Sequence, residues 1–173
     1  MKFHGIASLW LNQGKARKKK ITICLLESCK EAEKVSALLN EYHQDIGVDL
    51  NLDGFEYHPE DILNRYTYPN GLFFLAKSND FILGMAGVLF LNGKVCEIKR
   101  LYVKSRWRRM RIALCLIQSA AGIMQALGYR KAVLISLKRL KAAMAFYDAL
   151  GFRQIDNASI KKKIFLSLQV FII

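Results

Sequence analysis

The stretch CEIKRLYVKSRWRRMRIALCLI, residues 96–117, changes character twice. It opens as a strand, passes through four arginines within six residues (Arg106, Arg108, Arg109 and Arg111) and ends as an apolar helix. A basic run at such a junction has three readings: a nucleic-acid patch, a membrane-surface helix, or an anion site at a helix N-terminus. The third has a mechanism. The first turn of a helix presents unpaired backbone N–H groups at the positive end of its dipole, and the two together bind phosphates. Arginines beside it strengthen the attraction to a pyrophosphate. The opposing reading is an exposed basic turn.

The strand half carries a carboxylate, Glu97, among apolar neighbours. A half-buried carboxylate can serve as a general base near neutral pH. On spacing alone Glu97 reads more simply as a strand-face glutamate paired with a lysine or arginine. Upstream, LFFLAK, a turn at SND, FILGMAGVLFL, a turn at Asn92-Gly93 and VCEIKRLYV form an antiparallel meander. Downstream, Ile112, Leu116, Ala120, Ile123 and Leu127 mark the buried face of a helix from about Arg109 to Leu127, closed by Gly128. KAVLISL (131–137) is a further strand, apolar and central. KRLKAAMAFYDAL is a short helix closed by Gly151, and FRQI and KIFLSLQVFII supply two last strands joined by DNASIK.

Before the meander, ITICLLE (21–27) is a strand, and Ser28 followed by Glu31 has capping-box spacing. The helix that follows carries Ala32, Val35, Leu38, Leu39 and Tyr42 on one face and ends near Gly47. A loop, VDLNLDGFEYH, leads to a short helix PEDILNRY with Pro59 in its first turn. Residues 1–20, with Gly5, Gly14 and the cluster KARKKK, show no sustained periodicity and read as a basic N-terminal extension to a domain over 21–173. The whole is an α/β fold on one mixed sheet.

The bulk numbers narrow the function. With 173 residues, 53% of them hydrophobic, the chain can bury a core, and the composition argues against disorder. Twenty-seven Lys and Arg against 14 Asp and Glu leave a net charge of +13, which favours anionic partners without choosing among them. Cysteines at 24, 29, 96 and 115 make no CxxC pair and no His–Cys cluster, so no metal site is expected and the thiols read as reduced. The longest apolar runs are too short to span a bilayer. In MKFHGIASLWLNQGKARKKK the basic cluster follows the apolar part, the reverse of a secretory leader, so a cytoplasmic protein without a membrane partner is expected. No aromatic-interleaved basic face supports a specific nucleic-acid partner.

Taken in order, CEIKRLYVKSRWRRMRIALCLIQSAAGIMQALGYRKAVLISL and, further on, AAMAFYDALGF resemble the GNAT superfamily of N-acetyltransferases. More narrowly, they are similar to small bacterial members with an E-[IM]-K-R-[LM]-Y-V strand and a YxxLGF helix end. LLNEYHQDIGVDLNLDGFEYH also resembles that subgroup's first helix and the loop after it, so the resemblance covers about residues 21–156. It implies the acyl-CoA N-acyltransferase fold: a single mixed central sheet with helices on both faces. Its fourth strand, here CEIKRLYV, splays from its fifth, KAVLISL, to admit the pantetheine of acetyl-CoA. The backbone of Leu101, Tyr102 and Val103 would hydrogen-bond to the pantetheine. Arg108, Arg109, Met110, Arg111, Ile112, Ala113 and Leu114 would hold the pyrophosphate. Glu97 would take a proton from the acceptor's ammonium, and Tyr147, alone a core tyrosine, would protonate the leaving thiolate. The implied reaction is direct acetyl transfer from acetyl-CoA to a primary amine of a small molecule or peptide, with room for a homodimer.

Three departures from the family pattern stand out. In R/Q-x-x-G-x-G/A, the glycine before the final Ala113 is replaced by Arg111, and the neighbouring position, often glycine too, is Arg109. Leu134-Ile135-Ser136-Leu137 lacks the aspartate of L-D-T-L, and DNASIKKK is short. The double replacement motivates an alternative, a catalytically weak member acting as a binding module. The loop Val48–His58 is expected on the acceptor side, with Asp49, Asp53, Glu56 and His58 as polar candidates.

Overall fold

The computed structural model describes residues 7–13, 17–47, 58–91, 94–155 and 168–172. Eight strands are found there: β1 (Ala7–Gln13), β2 (Arg17–Leu25), β3 (Gly71–Ser78), β4 (Phe81–Phe90), β5 (Val95–Val103), β6 (Lys131–Leu137), β7 (Arg153–Ile155) and β8 (Leu168–Ile172). Four α-helices accompany them: α1 (Cys29–Ile46), α2 (Pro59–Arg65), α3 (Ile112–Ala126) and α4 (Lys141–Ala149). The strands form one sheet in the order β1-β2-β3-β4-β5-β6-β8-β7. Only β5 and β6 run parallel, with α3 as their crossover; every other pairing is antiparallel. The sheet is therefore mixed, as expected.

Both faces are covered, and β3 shows why its sequence is apolar without a break. Leu72, Phe74 and Ala76 join a core under α3 and α4, with Ile112, Leu116, Ala120, Ile123 and Tyr147. Phe73 and Leu75 join a second core under α1 and α2, with Ala32, Val35, Leu38, Leu39 and Ile62. Successive side chains alternate between faces, so a strand buried on both sides needs no polar residue. α1 begins as the capping spacing predicts: the Glu31 N–H donates to Ser28 Oγ at 3.3 Å, and the Glu31 carboxylate accepts from the Glu27 N–H at 3.1 Å. It ends at Gly47, in the left-handed region at φ 57°. Among the described residues no helix is long and apolar enough to cross a membrane.

Two boundaries move. The sheet extends past the boundary drawn at residue 20: Ala7–Gln13 pairs residue for residue with Arg17–Ile23 and covers the outer edge of β2. An edge hairpin needs backbone pairing rather than a buried face, so Lys18, Lys19 and Lys20 can continue the strand ITICL despite their charge. The second shift is at α3, which starts at Ile112 rather than near Arg109. Arg109 (φ 62°) and Arg111 (φ 60°) are both left-handed, and a right-handed helix cannot include them. The expected turn at Asn92-Gly93 and the joint DNASIK lie outside the described residues.

Candidate active site

The site grows from the place where β5 leaves β6. Their pairing runs from Val95↔Lys131 to Ile98↔Leu134 and stops there. From Lys99 to Val103 the β6-facing edge of β5 has no strand neighbour among the described residues. A bulge lies at the same point. Met85 pairs with Tyr102 and Gly87 with Lys99, so Arg100 and Leu101 together face Ala86. Arg100 takes a left-handed φ of 58°, the bulge conformation that glycine more often supplies. The extra residue bends the strand and turns Leu101 onto the α3 side with Ile98, while Tyr102 packs on the α1 side. The expected splay is thus present, and a β-bulge accompanies it.

The gap opens into a cavity of about 110 Å³. Glu97, Lys99 and Arg100 from β5, Ile135 and Ser136 from β6, Tyr147 from α4 and Tyr42 from α1 contribute to its walls. Glu97 and Tyr147, predicted as base and acid, are therefore brought to one cavity. Glu97 is half-buried and lies 3.7 Å from the Lys99 ammonium, so the pairing expected from strand spacing is also present. Tyr147 is buried, with its ring against Phe146 and Phe152 at centroid distances of 5.7 and 5.9 Å. Burial first, and the neighbouring Tyr42 second, push its phenol well above the ordinary tyrosine value. Tyr147 accordingly keeps its proton throughout the neutral range, as a proton donor must.

The basic junction divides into two parts. Arg108 turns toward α1: its Nε donates to the Val103 carbonyl at 3.0 Å, its Nη2 bonds Asp45, and its guanidinium lies 5.5 Å from the Tyr102 ring centroid. Its side chain thus braces β5 against α1. Arg109 and Arg111 are exposed, and half-buried Met110 packs against the core. The first helical bond of α3 is Cys115 N–H to Arg111 O, which leaves Ile112, Ala113 and Leu114 with no carbonyl acceptor within the helix. α3 has no side-chain cap and no acidic residue in its first turn. The contrast with α1, where Ser28 and Glu31 cap the start, is chemical: the N-terminus of α3 presents its donors and its positive charge outward.

Spacing did not single out several residues that bear on the cleft. Tyr42 read as one more member of the apolar stripe of α1. Arg100 read as an ordinary strand residue, yet it is buried at 7% exposure. Glu41 and Asp45 accept the Tyr102 O–H at 3.1 and 2.9 Å; Glu41 also pairs with Lys104 and Asp45 with Arg108. Their one signal was a helical spacing of four, which places both on one face of α1. Of the loop candidates, Asp49, Asp53 and Glu56 lie outside the described residues, and His58 is an exposed residue preceding α2. Among the described residues no group of three His, Cys, Asp or Glu side chains could hold a metal ion.

The chain is similar to known proteins in sequence and in fold. A family model described as acetyltransferase (GNAT) family matches residues 33–152. The chain is 27% identical over 135 residues to an uncharacterized N-acetyltransferase of Schizosaccharomyces pombe, covering 77% of this chain and 83% of that protein. It is 30% identical over 100 residues to N-acetyltransferase 8 of Homo sapiens, over 54% of this chain and 44% of that protein. The fold is similar to that of the PaiA N-acetyltransferase of Thermoplasma acidophilum in complex with coenzyme A. There the TM-score is 0.71 at 20% identity, with 88% of this chain and 97% of that one covered.

Proposed function

The chain belongs to the acetyltransferase (GNAT) family, and from that premise we propose that it transfers the acetyl group of acetyl-CoA to a primary amine by direct attack in a ternary complex. The observation that carries this reading is the convergence of Glu97 and Tyr147 on the single cavity where β5 and β6 part. The uncapped N-terminus of α3, which follows β5, would hold the pyrophosphate. The open edge of Leu101–Val103 would pair with the pantetheine amides, as an added strand pairs with a sheet edge.

The chemistry then needs three proton movements. The acceptor's ammonium gives a proton to the Glu97 carboxylate, directly or through water. The neutral nitrogen attacks the thioester carbonyl, and the C–N bond forms. Collapse of the tetrahedral intermediate breaks the C–S bond, the departing thiolate takes the Tyr147 proton, and the nitrogen, cationic after its attack, gives up its second proton, which returns to the Tyr147 phenolate directly or through water. No covalent enzyme intermediate is required, because holding both substrates in line makes the attack effectively unimolecular.

Acetyl-CoA at about 100 times its dissociation constant should stabilise the folded chain by ~2.7 kcal/mol. For a chain of this size that is a rise in melting temperature of about 5–10 °C. Calorimetric titration should give heat with one site. No heat and no thermal shift at millimolar acetyl-CoA would overturn the reading. Tyr147→Phe should lower kcat only about tenfold. A thiolate whose conjugate acid has a pKa of about 8.5 leaves with little help, so a general acid adds less here than at an alkoxide. Release of free thiol, followed spectroscopically, measures that deficit.

A further inference from the structure

Three connections meet at the end of the sheet opposite the cleft, and backbone hydrogen bonds join them. The Phe90 N–H donates to the Asn70 carbonyl at 2.9 Å, which ties the α2–β3 turn to the end of β4. The Arg130 N–H donates to the Lys94 carbonyl at 2.9 Å, which ties the α3–β6 turn to the start of β5. A run of rings follows the same path: Tyr68 meets Phe90 edge-on at a centroid distance of 6.3 Å, and Phe90 stacks on Tyr129 at 4.6 Å. Tyr68 is 64% exposed and Leu91 42% exposed, so apolar surface from two of the connections faces solvent.

The same connections carry Lys94, Arg130 and Lys131, all exposed. Among the described residues none of the three enters an ion pair, whereas Lys77, Lys99, Lys104 and Arg108 each meet a carboxylate. The two grooves that cross this end have no Asp or Glu in their walls, and Glu27 enters only in the next groove, beyond Tyr68. The backbone thus gathers three like charges, whose repulsion an anionic surface removes. Cations set among exposed apolar tips suit an anionic bilayer: the headgroups attract the charges, and aromatic and aliphatic tips enter the interface. A second copy of this chain would bring like charge against like. Stacked nucleic-acid bases need open ring faces, and Phe90 and Tyr129 cover one another. The expectation of no membrane partner concerned spanning segments; docking onto a surface needs no spanning helix. α3, with 15 residues, is about 22 Å long, so its N-terminus lies far from this end and the cofactor's entrance stays open.

We infer that this end of the sheet docks the protein on an anionic membrane surface, with Lys94, Arg130 and Lys131 against the headgroups and Tyr68 and Leu91 in the interface. The inference is independent of the acetyl-transfer reading. Co-sedimentation of the full-length chain with vesicles tests it. At about 0.1 M salt, binding to phosphatidylcholine vesicles with about one-third phosphatidylserine should be at least about tenfold tighter than to phosphatidylcholine alone. Each basic residue near such a surface contributes about fivefold, so K94Q/R130Q/K131Q should weaken binding about 100-fold. Y68S/L91S should weaken it about tenfold through lost apolar contact. K20Q/K138Q/K141Q removes the same charge from exposed positions toward the cleft end and should change binding little. All these side chains are exposed, so the variants should melt with the wild type. No binding by the wild type, or equal binding to the two vesicles, overturns the inference. Equal losses in the two triple variants also overturn it, since only the pull of the +13 net charge would then remain. Binding of oligouridylate that K94Q/R130Q/K131Q abolishes, without binding of vesicles, overturns it in favour of a nucleic-acid surface.

Discussion

Glu97→Gln should lower kcat for acetyl transfer about 100- to 10,000-fold at neutral pH, the range over which a positioned general base acts. The KM for acetyl-CoA should stay within about twofold. Glutamine has nearly the same shape, so the wall that Glu97 lends to the cavity survives, while the proton acceptor is lost. Lys99, at 3.7 Å, would keep a polar partner. The deficit should depend on pH in a definite direction. An alkylammonium has a pKa of about 10.4, so near pH 10 a substantial fraction of the acceptor is already neutral and needs no base. The gap between wild type and variant should therefore narrow as pH rises from 7 to 10. A deficit below about fivefold, or one that is flat across that range, would remove Glu97 from the role of base and leave it as half of an ion pair with Lys99.

The parts of the fold that were legible in sequence are those where one local rule decides. The unbroken apolar runs of β3 and β4, the face Ile112–Leu116–Ala120–Ile123 of α3, the Ser28–Glu31 cap and the left-handed Gly128 (φ 84°) each follow from periodicity or from one residue's conformational range. The features that were not legible depend on partners distant in sequence. Residues 7–13 form a strand because β2 offers them an edge, and the lysines at 18–20 hide that pairing from any hydropathy pattern. The bulge at Arg100 is set by the register of β5 against β4. Strict alternation would place Ile98 and Tyr102 on one face, whereas they join the cores on opposite faces of the sheet. The candidate site divides in the same way. Glu97 and Tyr147 carry a chemistry that a motif can flag. Tyr42 and Arg139 acquire their places only when α1 crosses the cleft.

Replacing both Arg109 and Arg111 by glycine should move two measurements in opposite directions. Stability should rise. A left-handed backbone costs an L-residue about 1–2 kcal/mol, and both arginines adopt it, at φ 62° and 60°. Glycine gives back part of that gain through the larger entropy of its unfolded chain, ~0.4–1 kcal/mol per site. The net is about 1–2 kcal/mol, or a few degrees in melting temperature. Affinity for acetyl-CoA should fall. The loop already holds the conformation that glycine would otherwise permit, so what the arginines add is charge beside an uncapped helix N-terminus. A charge-assisted hydrogen bond to phosphate contributes about 1.5 kcal/mol or more, so losing two should weaken binding about 100-fold. The loss should also shrink as ionic strength rises, since exposed charges are screened over about 10 Å at 0.1 M salt. The alternative, a family member whose arginines obstruct the phosphates, requires the opposite sign: R109G/R111G would bind acetyl-CoA more tightly. A thermal melt and a titration on the same two proteins separate the readings, because the stability change is common to both and only the affinity change differs in sign.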